Sequence, residues 1–340
     1  MRSGKNPTKF ARHHSNLVQL EVKTAAPLTI ATVTFVPRLA DYYLEGLDIL
    51  RLTFSQIRAT TPVPFDLVVF DNGSCREVVE FLVHLKEKGE IQVLILSPDN
   101  MKKLGAINYL FSAAQGDFIY YFDSDILHFD GWYEETMKIM QAFPKAGMVN
   151  AAPMPSQDRE VMEATFRIAD MDPEIHRVHG AVFDDETLRA NAAAMDTNVD
   201  AYVRKAGERL REVFLRDGVK ALPIASHSHF LMRREAAKAV VPYARDWHLE
   251  HKDKHFDMLV SEAGYMRLGT LSVHVAHLGN VLTDRWRDYA REKGVLLSEN
   301  QLVPGAARRG LKRVLLESRI SQKLLLRLHA LTFRLLYNVR

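Results

Sequence analysis

The chain has 340 residues, of which 47% are hydrophobic and 26% are charged, and its formal net charge is +3. This composition is typical of a soluble globular protein, and the length favours about two domains or one large domain with additions. A single cysteine, Cys75, excludes an intrachain disulfide and a cysteine zinc cluster, and no apolar stretch is long enough for a membrane-spanning helix. We therefore expect a cytoplasmic protein.

Both ends of the chain are basic. Residues 1–27 carry several lysines and arginines against the single acid Glu21, with no signal-peptide core, and we expect a flexible basic leader. Residues 301–340 combine arginines and lysines with leucines at roughly helical spacing, which predicts a basic amphipathic helical tail.

The tail has three candidate partners. Residues 306–340 would lie on an anionic membrane, at its inner face, or dock on their own domain, or dock on a second subunit and form a homodimer. No nucleic-acid partner is expected, because no aromatic side chains accompany the first arginines and lysines of the tail.

From residue 28 to residue 150, short apolar runs alternate with longer amphipathic stretches, which is typical of βα units around a mostly parallel sheet. Strands are predicted over LTIATVTFV (28–36), DLVVF (66–70), IQVLIL (91–96) and DFIYYF (117–122). Helices are predicted from about residue 41, over 76–88 and over 104–115.

The second half of the chain interrupts this pattern. Residues 151–222 are rich in charged residues and alanine, and predict a helical insertion. Over 223–300 the α/β pattern resumes with the strand-like runs HFLM (229–232) and LSVHVAH (271–277), which flank a helix at about 253–263.

Three polar stretches follow predicted strands: Val36-Pro37-Arg38, Asp71-Asn72-Gly73-Ser74 and Asp123-Ser124-Asp125. The carboxyl ends of parallel strands collect at one edge of an α/β sheet, so these stretches should converge. Two carboxylates one residue apart suit Mg²⁺ or Mn²⁺ bridging a diphosphate, with Asp125 as the direct ligand and Asp123 assisting through water or a nucleotide hydroxyl. The alternative is that these aspartates only end a strand or cap a helix.

Two other enzyme classes use similar features. A haloacid-dehalogenase-like phosphatase also has an apolar strand followed by D-x-D and would use Asp123 as its nucleophile, but Leu127 stands where that family has Thr or Val, and three strands come first. A sugar nucleotidyltransferase would need a Gly-rich basic loop after the first strand, which FVPRLADYY does not supply.

Four motifs occur in order along the chain: TVTFVPR, VVFDNGS, NMKKLGAIN (100–108) and FDSDI. Together they resemble the family 2 glycosyltransferases of the GT-A fold. The resemblance implies a GT-A, Rossmann-like, mostly parallel central sheet flanked by helices. It also implies inverting transfer of a sugar, of the hexosyltransferase class, from a UDP- or GDP-linked donor to a hydroxyl acceptor with Mg²⁺ or Mn²⁺. Residues 28–150 would then be the nucleotide-sugar-binding half and 223–300 the acceptor and catalytic half.

The resemblance also implies roles for individual residues. Lys102 departs from the family, which usually has Gly there, and so does Ile107, where Arg is common. HVAHLGN resembles a late histidine-glycine segment that supplies a metal ligand, which points to His277 rather than His274. The implied nucleotide-sugar contacts are Pro37, Arg38, Asp71, Asn72, Lys103, Gly105, Asn108, Asp123 and Ser124, and the implied metal ligands are Asp123, Asp125 and His277.

The catalytic base is expected on the predicted helix at 253–263. In the family an acidic pair lies eleven residues before a Gly-Tyr, and counting back from Gly264-Tyr265 places Asp253 at the base position, with Lys252 in place of the usual Glu. Asp257 is the competing candidate, one helical turn later.

Overall fold

The computed structural model describes residues 24–154, 159–180, 183–195, 197–207, 211–243 and 252–298. The chain divides into one unit that ends at Leu297 and a second from Ser298 to Arg340, and all elements below belong to the first. Most of the predicted leader and the whole tail at 301–340 lie outside the described residues. None of the described helices is both long and apolar enough to cross a membrane.

A seven-stranded sheet with the strand order β11-β6-β10-β4-β1-β2-β3 forms the centre of the first unit. β1, β2, β3 and β4 run parallel, and β10 is antiparallel to both of its neighbours. The strands of this sheet are β1 (Leu28–Thr34), β2 (Phe65–Asn72), β3 (Val93–Ser97), β4 (Phe118–Asp123), β6 (Ala146–Asn150), β10 (His229–Arg233) and β11 (Met266–Gly269). The predicted mixed α/β fold with a mostly parallel central sheet is confirmed.

Helices pack on both faces of this sheet, because its strands carry apolar side chains on both faces. The cluster on one face includes Leu50, Val78 and Trp132, and the cluster on the other includes Leu110 and Phe256. The helices are α1 (Gly46–Ala59), α2 (Arg76–Glu87), α3 (Lys102–Ala113), α4 (Trp132–Ala142), α5 (Arg159–Asp170), α6 (Asp185–Ala194), α7 (Val199–Gly207), α8 (Arg234–Val240), α9 (Asp253–Glu262) and α10 (Asp284–Glu292).

The register of the parallel strands aligns the predicted polar stretches. Thr34 at the end of β1 lies beside Asp71 on β2, and Val33 lies beside Asp123 on β4. The loops after these three strands therefore leave the sheet at one edge, as the sequence predicts.

A short two-stranded sheet lies beside this edge. β5 (Ile126–His128) starts directly after Asp125 and pairs antiparallel with β12 (Val275–His277), so that His277 lies opposite Ile126. This pairing places His277, which comes late in the sequence of the first unit, next to the end of β4. β12 is shorter than the strand predicted over 271–277.

The prediction that the insertion at 151–222 is helical is wrong in one respect, because the segment also contains strands. The segment contains α5, α6 and α7, but also a three-stranded antiparallel sheet of β7 (His176–Gly180), β8 (Arg211–Arg216) and β9 (Val219–Ala221). These strands are short and rich in charged residues, so their sequence carries little of the apolar alternation that identifies a strand.

Candidate active site

A cleft of about 530 Å³ opens at the carboxyl ends of β1, β2 and β4. Its lining includes side chains from both halves of the first unit: Phe35, Tyr42, Tyr43, Asn72, Asn100, Lys102, Lys103, Tyr121, Asp123, Ser124, Asp125, Asp253, His277 and Asn280. The predicted convergence of the D-x-D carboxylates with His277 and Asp253 is thus present in the geometry.

Asp123 is held by two side chains of the cleft. The Tyr121 hydroxyl donates to its Oδ1 at 2.8 Å, and the Lys103 ammonium donates to its Oδ2 at 2.8 Å and lies 2.6 Å from Oδ1. Lys103 also donates to the main-chain oxygen of His227 at 2.9 Å. A charge-assisted network of this kind fixes the carboxylate in one orientation.

Asp125 faces His277 instead. Its Oδ2 lies 3.2 Å from His277 Nε2, and its main-chain oxygen accepts a hydrogen bond from the Leu278 amide at 2.9 Å. Burial raises the pKa of the Asp125 carboxyl, and the neighbouring His277 opposes that rise. His277 is half-exposed and borders the open part of the cleft.

These contacts bear on the predicted metal ligands. In the described part of the chain, no group of three or more histidine, cysteine or acidic side chains is placed to hold a metal ion. Asp123 is paired with Lys103, whereas Asp125 and His277 lie next to each other in the lining of the cleft. One carboxylate and one imidazole suit Mn²⁺ when diphosphate oxygens and water complete its coordination. Mg²⁺ binds through one or two carboxylates, again with diphosphate oxygens and water as its other ligands. The donor set therefore fits a metal that binds together with the nucleotide.

Asp71 and Asn72 have different environments. Asp71 is 1% exposed, and its two carboxylate oxygens accept hydrogen bonds from the Thr34 hydroxyl at 2.8 Å and the Ser74 amide at 2.9 Å. Asp71 therefore braces the turn after β2 and does not line the cleft. Asn72 lines it, and its side chain bonds Asn100 Oδ1 at 2.9 Å and the amide of Met101 at 2.7 Å.

Four other predicted donor contacts do not line the cleft. Pro37 and Arg38 are exposed, and Arg38 pairs with Asp41 at 3.3 Å. Gly105 is buried inside α3, and Asn108 is half-buried on the same helix. Their predicted contacts with the nucleotide sugar stay predictions, whereas Ser124 and Lys103 lie in the cleft.

Lys102, at the family's usual glycine position, has a left-handed backbone. Its φ is +58°, and its amide donates to Asn100 Oδ1 at 2.8 Å. Glycine adopts this region without a steric cost and other residues rarely do, which gives a physical reason for glycine at this position.

The two candidate bases lie in different places on α9. Asp253, in the first turn, lines the cleft. Asp257 is 7% exposed, and its Oδ2 lies 3.0 Å from His227 Nδ1 and 3.9 Å from the Arg267 guanidinium. Asp257 thus belongs to a partly buried polar cluster with His227 and Arg267, and of the two candidates only Asp253 lines the cleft.

Sequence reasoning missed Tyr121 and His227. Tyr121 lies two positions before Asp123, so its side chain leaves β4 on the same face, and this period of two was available from the sequence. His227 acts on the cleft through its main-chain oxygen, which accepts from Lys103, and side-chain type carries no signal for such a contact.

The sequence and fold were compared with known proteins. The model of glycosyl transferase family 2 matches residues 42–240, more than half of the chain. No sequence among the curated proteins matches this chain significantly. Among solved structures, the fold is similar to the mannosyltransferase PcManGT from Pyrobaculum calidifontis in complex with GDP-Man and Mn²⁺, with 14% identity and a TM-score of 0.43. The likeness covers 78% of this chain, and the chain spans 61% of that one.

The family match agrees with a glycosyltransferase and not with the phosphatase or nucleotidyltransferase alternatives. It begins before α1 and ends with α8, so it includes β2 and β4 but not β1. The chain therefore belongs to glycosyltransferase family 2.

Proposed function

We propose that the protein transfers a sugar from a UDP- or GDP-linked donor to the hydroxyl of an acceptor. The observation that carries this proposal is that Asp125, His277 and Asp253 line one cleft at the carboxyl ends of the parallel strands. Family membership supports glycosyl transfer from a nucleotide sugar. The donor base, the hexosyl class and the stereochemical course belong to the proposal.

The donor half of the proposal uses the polar side chains after β2 and β4. Asn72, Asn100 and the two lysines Lys102 and Lys103 line the part of the cleft where the nucleotide would bind. Lys103 and Tyr121 keep Asp123 in place as an acceptor for a nucleotide hydroxyl or a water. When bound through Asp125 and His277, Mg²⁺ or Mn²⁺ supplies positive charge to the diphosphate leaving group.

The acceptor half of the proposal assigns the proton to Asp253. Its carboxylate takes the proton of the acceptor hydroxyl while the acceptor oxygen bonds to the anomeric carbon. The bond from that carbon to the diphosphate oxygen breaks at the same time, and its electron pair leaves with the nucleoside diphosphate. Attack on the face opposite the leaving group inverts the anomeric configuration.

A panel of nucleotide sugars with and without Mn²⁺ or Mg²⁺ tests the function, with release of UDP or GDP as the readout. We expect metal-dependent release with at least one donor. Asp125→Ala should lower that release by about 100-fold or more, because it removes the carboxylate closest to His277. Asp288→Ala, which removes an exposed carboxylate on α10, is the matched control and should leave release unchanged.

Two results would contradict the proposal. One is the absence of metal-dependent nucleotide release with every donor of the panel. The other is equal release by the Asp125→Ala and Asp288→Ala variants, because the D-x-D motif would then have no part in the reaction.

A further inference from the structure

A second pocket, of about 310 Å³, adjoins the cleft. His277 lines both cavities, so the second pocket begins beside the Asp125–His277 pair. Most of its lining is apolar and comes from β5, the segment after β6, the end of α6 with the residue that follows it, and β12, including Ile126, Met154, Ala194, Met195 and Val275. Part of its wall is therefore built by the insertion at 151–222.

The polar side chains of the second pocket are engaged with the protein. The Asn191 amide donates to the Pro153 oxygen at 3.1 Å and to the Tyr202 hydroxyl at 2.7 Å. The Ser228 hydroxyl lies 3.4 Å from that of Ser226 and 3.2 Å from His229 Nδ1. These bonds leave the pocket few polar atoms with which to bind a ligand.

The more buried of the two histidines in the pocket is uncharged near neutral pH. His229 is 7% exposed, and burial, followed by the positive charges of His277 and Lys103, lowers its pKa to about 3. The imidazole is therefore neutral, and the pocket offers neither an anion nor a cation for a charged ligand to pair with, apart from His277 at its border.

The apolar lining of the second pocket favours some classes of ligand over others. A sugar carries a hydroxyl on most of its carbons, and each hydroxyl buried without a partner is unfavourable. An alkyl or aryl group loses no hydrogen bond there and gains from burial. Methionines add to this preference because their flexible, polarizable side chains adapt to irregular apolar ligands.

We propose that the second pocket binds the acceptor, and that the acceptor is an uncharged alcohol with a compact alkyl or aryl body. The body occupies the space between Met154 and Met195, and the hydroxyl points past His277 into the cleft. This inference rests on the proposed function, since it names the acceptor class of the same reaction. The volume is at the lower end of the range for small-molecule sites, which suits a compact body.

Saturation-transfer NMR on the full chain tests the class of ligand directly. Benzyl alcohol and 1-hexanol serve as apolar alcohols, and glycerol and glucose serve as polyols. We expect the apolar alcohols to bind about tenfold more tightly than the polyols, because a buried ring or chain removes apolar area from water.

Met195 provides the variant, because it lines the pocket and is 50% exposed, so that its replacement leaves the core intact. Met195→Asp should weaken binding of the apolar alcohols about tenfold, whereas Met195→Leu should retain it within about twofold. Met171→Asp is the matched control, since Met171 is 76% exposed and does not line either cavity.

Donor binding and metal-dependent nucleotide release without acceptor are measured on the same variants, and we expect no change in either. Equal binding of alcohols and polyols, or equal effects of Met195→Asp and Met171→Asp, would overturn the inference. Weakened donor binding by Met195→Asp would also overturn it, and would assign the pocket to the donor sugar. If the alcohols bind as expected but no nucleotide is released with any donor, the proposed function fails while the pocket remains an apolar-alcohol site.

Discussion

Asp253 and Asp257 lie one helical turn apart on α9, and their surroundings give them different roles. Asp253 faces the cleft, whereas Asp257 contacts His227 and Arg267 inside the protein. A general base must reach the acceptor hydroxyl, and only the first of these carboxylates borders the space in which an acceptor can bind. This distinction depends on tertiary contacts, so the spacing of the two aspartates in the sequence could not provide it.

Replacement of each aspartate by asparagine should separate these roles. Asp253→Asn should lower the rate of transfer by about 10²–10⁴ while donor binding and the free energy of unfolding stay near their original values, because it removes only the proton acceptor. Asp257→Asn should instead lower the free energy of unfolding by about 2–3 kcal/mol, since it removes the negative charge beside the buried Arg267 and His227.

Single-turnover transfer assays and urea denaturation of both variants provide the measurements. The assignment would be wrong if Asp257→Asn abolished transfer in a fully folded protein while Asp253→Asn remained active.

At the scale of the elements, the start of α3 combines a strained residue with the nucleotide side of the cleft. Lys102 begins this helix with φ +58°, and its side chain lines the cleft. The left-handed region is unfavourable for residues with a Cβ atom. The sequence therefore keeps a lysine here at a cost in stability, which is consistent with a role for its charge.

Lys102→Gly should raise the free energy of unfolding by about 0.5–1 kcal/mol relative to Lys102→Ala, because glycine accepts the positive φ. Both variants lack the amine, so they should share any loss of affinity for a nucleoside diphosphate. Urea midpoints give the stability difference, and titration with UDP and GDP gives the affinity. Equal stability of the two variants would show that the left-handed backbone is not strained at this position.

The elements also show which parts of the fold the sequence predicts. β1 to β4 were predicted because each is an apolar run bounded by turn residues or an amphipathic helix. The pattern does not predict β7 to β9, because they are short and charged. The predicted first helix starts too early, since a short 3₁₀ turn at Asp41–Tyr43 precedes α1. Burial alone does not make a strand recognisable from local pattern, since β3 is partly exposed and is predicted, whereas β6 is fully buried and is not.

The same limit applies to the site. The convergence of Asp123, Asp125 and Asp253 follows from strand order and from the family resemblance. The position of Asp71 outside the cleft does not follow from the sequence, because it depends on a hydrogen bond from Thr34, a residue on the neighbouring strand. The Lys103–Asp123 pair likewise joins α3 to β4 and is set by packing.

At the scale of the whole molecule, two buried histidines make stability depend on pH. Burial lowers the pKa of His128 well below its ordinary value and that of His229 to about 3. Unfolding exposes both side chains, which then bind protons near pH 6.5. Stability is therefore fully present above about pH 6.5 and falls as the pH drops from 6.5 toward 3, because the unfolded state binds more protons.

Denaturation at pH 7 and pH 5 should show this loss, at about 1–2 kcal/mol for His229. His229→Gln should reduce the difference between the two pH values, whereas His84→Gln, which removes an exposed histidine on α2, should not. An unchanged difference in the His229→Gln variant would exclude this histidine as a source of the acid sensitivity.

The pairing of β12 with β5 has a consequence for the synthesis of the protein. His277 reaches Asp125 only through this pairing, and β12 follows every strand of the central sheet along the chain. Glu45, near the start of α1, is likewise bonded by residues beyond β12, through the Leu282 amide and the Arg287 guanidinium. Because domains are made from the amino terminus onward, a partly translated chain can assemble its sheet while Asp125 still lacks its partner. Nearly the whole first unit must therefore be synthesised before the cleft is complete. Chains truncated before β12 are expected to be inactive even when they fold.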